Sequence, residues 1–177
     1  MLFAEGVVML SKKMENAINQ QINAEIFSSY LYLSMATYFE SISLSGFSNW
    51  MRQQAQEELF HGMKMFDFVC ERGGRVILKA IDQPPSKWSS PLDAMKNVLS
   101  HEQKVTGLIN DLVNVAQDER DHATNIFLQW FVSEQVEEED TAGSLVDKLK
   151  MIGKDANGLF MLDTDLGQRT FTLPTKQ

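Results

Sequence analysis

A single cysteine, Cys70, excludes any disulfide within the chain. The sequence also lacks a basic start followed by an apolar run of signal-peptide length. Its longest strictly apolar runs are a few residues, against the roughly 20 that a membrane helix needs. A soluble, cytoplasmic protein with no membrane partner is expected. Positive charge is scarce: 16 Lys and Arg against 24 Asp and Glu leave a net charge of −8. Nucleic acid, which selects clustered Lys and Arg, is therefore excluded as a partner, and cations are favoured. Proline and glycine are both absent from residues 7–45. That gap predicts long uninterrupted helix. With 44% hydrophobic residues, a chain of 177 can bury one sizeable core and is too short for two ordinary domains.

What is present is helical periodicity. Met14, Ile18, Ile22, Ser29, Leu33 and Ala36 form one stripe, with Glu25 on it, and predict a first helix over 10–41 behind an N-terminal extension, 1–9. Gly46 restarts the pattern. Phe47, Met51, Ala55, Gly62, Met65 and Val69 mark a second helix over 46–73, ended by the Gly73-Gly74 pair. Residues 74–90 have no helical period and contain Pro84-Pro85, so they form an extended connector. Ser90 as N-cap, Pro91 at the first helical position and Asp93 in the first turn open a third helix over 91–118. Its stripe is Met95, Val98, Val105, Ile109, Leu112 and Ala116. Beyond the charged run Asp118 to Asp121, a fourth helix over 121–152 carries Thr124, Phe127, Phe131, Ala142, Leu145, Leu149 and Ile152, and Gly153 ends it. A short fifth helix over 154–166 and a polar tail, 167–177, complete a single all-α domain. Cys70 reads as a small buried hydrophobe, and His101 and His122 as structural or superficial.

Connection lengths set the topology. Two pairs of helices joined by short turns are antiparallel hairpins, whereas the connector of about 17 residues, at roughly 3.3 Å each, can run back along a helix of about 27 residues rising 1.5 Å each. This is a four-helix bundle with one long crossover.

Each stripe is interrupted near its middle by a polar residue: Glu25, Glu58, Glu102, and on the fourth helix Gln135 with Glu138. Bringing an ionised carboxylate into a bundle core costs several kcal/mol even after relaxation, against a total stability of about 5–15 kcal/mol. Four such groups need a cation, or must take up protons. No basic residue interrupts the stripes. His61 follows Glu58 by three residues and shares its face, which is the Glu-x-x-His spacing of a di-iron ligand pair. Carboxylates with one imidazole suit iron or manganese better than thiolate-loving zinc. Iron is the first choice.

The runs 23–32 (NAEIFSSYLY), 56–61 (QEELFH), 101–103 (HEQ) and 133–139 (SEQVEEE) resemble bacterial non-haem ferritins, from about Leu10 to Thr170. The resemblance implies the ferritin-like fold and a homo-oligomeric cage of two dozen subunits. It implies storage of iron as ferric mineral after a ferroxidase centre in each subunit oxidises Fe(II) with O2 or hydrogen peroxide. Carried over by position, Glu25, bridging Glu58 and His61 hold one iron, and Glu58, Glu102 and Gln135 the second. Glu57, Glu134, Glu137 and Glu138 match a third iron site. Tyr32 matches the tyrosine beside the centre, a source of either an electron or a hydrogen bond.

Departures from relatives carry their own expectations. The fourth helix offers Gln135-x-x-Glu138 where bacterioferritins repeat Glu-x-x-His, and Leu59 stands where they place a haem-binding methionine, so haem is not expected. Rubrerythrins add a Cys-x-x-Cys domain that one cysteine cannot supply. Asn125 and Leu128 align with the acids lining the threefold iron pore of animal ferritins, with Asp118 and Asp121 nearby as substitutes. The N-terminus is about eight residues longer than the family needs, with Met9 an alternative start. Two other readings stand beside ferritin: a di-iron oxidase acting without a cage, and a metal-free helical interaction module. Size-exclusion chromatography distinguishes the first, and anaerobic Fe(II) titration the second.

Overall fold

The computed structural model describes residues 9–173; most of the N-terminal extension and residues 174–177 of the tail lie outside them. It contains five helices, α1 Lys12–Ser41, α2 Ser45–Glu71, α3 Pro91–Asp118, α4 His122–Ile152 and α5 Ala156–Leu166, and no strand among the described residues. The architecture is an all-α four-helix bundle with a short fifth helix at its C-terminal end. α1 packs on α2 and α3, α3 on α4, and α5 against α2 and the end of α4.

Local chemistry sets the helix ends. Ser11 caps α1 by accepting from the Met14 amide at 3.1 Å, so that helix starts at Lys12 rather than at Leu10. Ser90 does the same for α3 through Asp93 N, with Pro91 in the first turn. Asp121 caps α4 through Thr124 N at 3.1 Å and is thereby left just outside the helix. α2 ends two residues before the glycine pair. The amides of Gly73 and Gly74 close back on the carbonyls of Cys70 and Val69, with Gly73 at φ +70°. α1 and α3 close in the same pattern, with Ser43 and Arg120 taking the left-handed position.

The start of α2 is different. Leu44 at its cap has no side chain able to accept, and the free Phe47 amide instead donates to Asp163 Oδ1 of α5 at 2.9 Å. α5 comes so close that a Cβ on Gly46 would lie 1.6 Å from the Asp163 carbonyl oxygen. Only glycine fits there.

The crossover runs along α1. Asn19 donates to Arg75 O at 3.0 Å and accepts from Ile77 N at 2.9 Å, and Ser34 Oγ donates to Pro85 O at 2.6 Å near the far end. Together these contacts span about half of the helix.

Two apolar clusters fill the bundle. One gathers Tyr32, Met35, Phe39, Phe47, Met51, Met95 and Leu145, and the other Met14, Ile18, Ile22, Met65, Val105, Ile109, Leu128 and Phe131. Between them lies a belt of buried polar residues. Its seams are unequal. α1 approaches α2 closely enough for Ser29 Oγ to donate to Ala55 O at 2.7 Å, whereas no Cα of α2 comes within 8 Å of one in α4 among the described residues. Long side chains fill that wider gap, among them Phe68 stacked on Phe127 with centroids 3.8 Å apart.

Several expectations from periodicity are corrected. Leu33 is 45% exposed, because α1 faces the core through Leu31, Tyr32 and Met35 instead. On α4 Leu128 is fully buried while Phe127 and Ile152 are half-buried. Leu128 therefore packs in the core and cannot line a pore. Asp121 is likewise occupied, by its cap and by Arg72 at 3.1 Å. Cys70 is exposed, not buried.

Candidate metal centre

The belt is built from one turn of each long helix. Glu25 on α1, Glu58 and His61 on α2, Glu102 on α3, and Gln135 and Glu138 on α4 are all buried. Gly62 faces α1 here, where a Cβ on it would stand in contact with Glu25 Cβ at 3.4 Å.

Ligand atoms converge in three overlapping groups, each with its atoms within 4.8 Å of one another. Glu25, Glu58 and His61 form the first, Glu58, Glu102 and Glu138 the second, and Glu57, His61 and Glu134 the third. Glu58 is common to the first two, the position of a bridging carboxylate. His61 Nδ1 stands 3.7 Å from Glu58 Oε2, too far for a hydrogen bond, while two donors on one ion at 2.0–2.2 Å sit roughly 3–3.5 Å apart. Glu25 Oε2 is buried and has no hydrogen-bond partner among the described residues. An acceptor left bare in a core is costly, and either a cation or a proton shared with Glu58 satisfies it.

Electrostatics agree. Burial pushes the Glu25 carboxyl up to about 8, with the nearby Glu58 charge adding to the effect. Glu58 and Glu138 lie well above the carboxylate range, through burial and then the charge of Glu102 on the former and of Glu58 on the latter. Burial raises Glu102 too, partly offset by hydrogen bonds from Tyr32 and Gln135. Without a cation the belt holds protons.

Neutral side chains orient the carboxylates. Gln21 Nε2 donates to Glu25 Oε1 at 2.8 Å, and Gln54 Nε2 to both Glu58 Oε1 at 3.2 Å and Glu138 Oε2 at 2.7 Å. Tyr32 Oη donates to Glu102 Oε1, and burial holds this phenol well above its ordinary range. Gln135 directs its amide nitrogen to Glu102 Oε2 at 3.3 Å and to Thr106 Oγ1 at 3.3 Å. Its amide nitrogen, not its carbonyl oxygen, is thus the end turned toward the Glu102 carboxylate. His101 bonds Ser28 Oγ at 2.8 Å outside the ligand groups, and burial lowers its pKa to about 4.

The residues expected at a third site separate. Glu57 and Glu134 stay together beside His61, Glu138 turns inward to Glu58 and Glu102, and Glu137 is exposed and joins none of the three groups. Glu57 and Glu134 belong to the wide α2–α4 seam, where burial raises Glu134. Sequence reasoning missed Gln21 and Gln54, although each precedes its glutamate by four residues on the same stripe. It also missed Arg169, whose guanidinium reaches Glu57 Oε2 at 2.6 Å from beyond the last helix. No spacing rule signals that contact.

A bundle with one crossover, cored by carboxylates and one histidine drawn from four helices, has the arrangement that di-iron carboxylate proteins build in a bundle core. The family model described as a ferritin-like domain matches residues 15–152. The bacterial non-heme ferritin of Bacteroides fragilis strain 638R is 50% identical over 161 residues, covering 91% of this chain and all of the relative. A closed form of Archaeoglobus fulgidus ferritin engineered by site-directed mutagenesis superposes with a TM-score of 0.91 at 61% identity, over 92% of this chain and 99% of that one. The open-pore ferritin of the same hyperthermophilic archaeon matches at 60% identity and 0.91, over 91% and 99%. The chain belongs to the ferritin family.

Proposed function

We propose that this chain is an iron-storage subunit. It oxidises Fe(II) at a ferroxidase centre formed by Glu25, Glu58, His61, Glu102 and Gln135, with Glu138 beside it, and passes the product to a ferric store inside a cytoplasmic homo-oligomeric cage. The observation that carries this reading is the pair of buried ligand groups sharing Glu58. Fe(II) is the substrate. Two ions held side by side lose one electron each, and O2 takes both with two protons to leave as hydrogen peroxide. One ion alone supplies half of what this step needs.

The protein's own groups do the rest. Gln21 and Gln54 hold the Glu25 and Glu58 carboxylates with an oxygen free for iron. Tyr32 and Gln135 each hold one oxygen of Glu102, so that the longer Gln135 bond yields when Glu102 takes a metal ion. Iron displaces the protons that burial keeps on the belt. Gln135, a neutral ligand, lowers the negative charge around Fe(III) and favours its release. Glu57 and Glu134, with Glu137 on the same side of α4, receive iron at an outer site. Tyr30 and Leu33 on α1 and Ile77, Leu78 and Ile81 on the crossover beside it leave apolar surface exposed, which supports assembly with other copies.

Aerobic addition of Fe(II), with ferric absorbance and particle mass followed together, tests the reading. A ferric product that stays with a particle many times the 20.1 kDa subunit is expected. Ferric product formed by free monomers, or no saturable Fe(II) binding under nitrogen, would refute it.

A further inference from the structure

The segment after α5 folds back along one side of α2. Asn49 Nδ2 donates to the carbonyls of Leu166, Gly167 and Arg169 at 3.3, 3.3 and 3.0 Å, and the Phe171 amide donates to Gln53 Oε1 at 2.8 Å. Between them Arg169 lays its guanidinium over the Trp50 ring, 4.5 Å from the centroid. Nη1 donates to Gln54 Oε1 at 2.7 Å and Nη2 to Glu57 Oε2 at 2.6 Å. Contacts at positions 49, 53 and 57 climb one face of α2 turn by turn. Both ends of the ion pair are largely buried, with the Arg169 side chain 25% and the Glu57 side chain 18% exposed.

Two consequences follow from one guanidinium. Glu57 is a member of the outer ligand group with His61 and Glu134, and Arg169 holds one of its two oxygens, Oε2, so a metal ion there must share the carboxylate with a guanidinium or displace it. Two cations on one carboxylate in a half-buried seam also repel strongly. Gln54, meanwhile, is a relay. Its oxygen faces Arg169 and its nitrogen faces Glu58 and Glu138, so the arginine fixes which end of the amide meets the ferroxidase carboxylates.

We propose that Arg169 is a resident cation of the outer site: a metal ion binds at Glu57 and Glu134 only by displacing the guanidinium, so outer-site iron and the docked C-terminal strap exclude one another. This inference rests on the outer-site reading given above and adds its control. Occupation of the outer site loosens residues 169–171 and frees Gln54 to turn. By linkage, anything that undocks the strap tightens the outer site by the same factor.

The test uses the full-length protein under strict anaerobiosis, with Fe(II) as the probe. Calorimetry should show Arg169→Gln binding the third Fe(II) per subunit about tenfold or more tightly than the parent. Hydrogen exchange of the parent should show the amides of residues 169–171 exchanging about tenfold faster with three Fe(II) bound than with two. A third ion bound no tighter by Arg169→Gln, or strap exchange indifferent to it, would overturn the proposal. Glu57→Ala combined with Glu134→Ala separates the failures. If that variant loses the third ion while Arg169→Gln fails to tighten it, the strap has no control over a real site. If the variant keeps the third ion, or neither the parent nor Arg169→Gln binds more than two, the outer site itself is wrong and the strap proposal falls with it.

Discussion

Replacing Glu25 by glutamine removes an ionisable group from the core without changing its shape. Glutamine keeps an oxygen for Gln21 Nε2 and places an amide where the bare Glu25 Oε2 now lies. The Glu25 carboxyl is raised from 4.5 to about 8 by burial and by Glu58, a difference worth ~5 kcal/mol between its charged and neutral forms. Because the folded value is the higher one, this stability is fully present below pH 4.5. It declines as pH rises and is lost once pH passes about 8. At pH 7 the loss is ~3–4 kcal/mol, since the unfolded chain has released the proton and the folded one has not. Denaturant titrations of metal-free protein in chelator should therefore find Glu25→Gln indistinguishable from the parent near pH 4. The variant should become more stable by several kcal/mol above pH 8. Saturating divalent metal at pH 7 should reverse the order, because only the parent keeps the full ligand group. A stability difference that does not vary with pH would refute the reasoning, since it would mean that Glu25 is not desolvated in the folded state.

The same protons should appear on metal binding: calorimetry in buffers of different ionisation enthalpy should register about one proton or more released per subunit near pH 7, and zero release would contradict the raised carboxyls. His61→Ala should slow rapid Fe(II) oxidation by tenfold or more while leaving the circular dichroism spectrum and particle mass unchanged, and oxidation at the parent rate would remove His61 from the site. Gly46→Ala should destabilise the protein by about 2 kcal/mol or more by pushing α5 off α2, visible as a lower Tm and faster exchange of the Phe47 amide. An unaltered Tm would mean that α5 is free to shift without loss.

The number and length of the helices were legible because a stripe at 3.6 residues is a property of each helix alone. The polar belt was legible for a related reason. A glutamate in an apolar stripe stands out against its neighbours, and four at similar depth in four helices point to one place. Phase was harder where two apolar residues adjoin. Phe127 and Leu128 both fit the α4 pattern, and only the width of the α2–α4 seam decides that the aromatic bridges it while Leu128 sinks into the core. Leu33 was misplaced for the same reason, beside Tyr32 and Met35. Cys70 was judged by residue type, yet it lies in the last turn of α2 beyond the covered face. Arg169 was out of reach because its partners, Gln54 and Glu57, are more than a hundred residues away and the segment carrying it has no periodicity. The division of the glutamates near Glu134 depends on how four helices pack, and no single helix encodes it.

The cap that Asp163 supplies to α2 has a bearing on how the chain is made. Synthesis proceeds from the N-terminus, so the first turn of α2 leaves the ribosome more than a hundred residues before the carboxylate that completes it. Until α5 arrives, the Phe47 amide has only water to donate to, and the α1–α2 hairpin is held by its apolar seam with one end frayed. The last helix made thus finishes one of the first, and a nascent chain cannot close that end of the bundle before residue 163 is available.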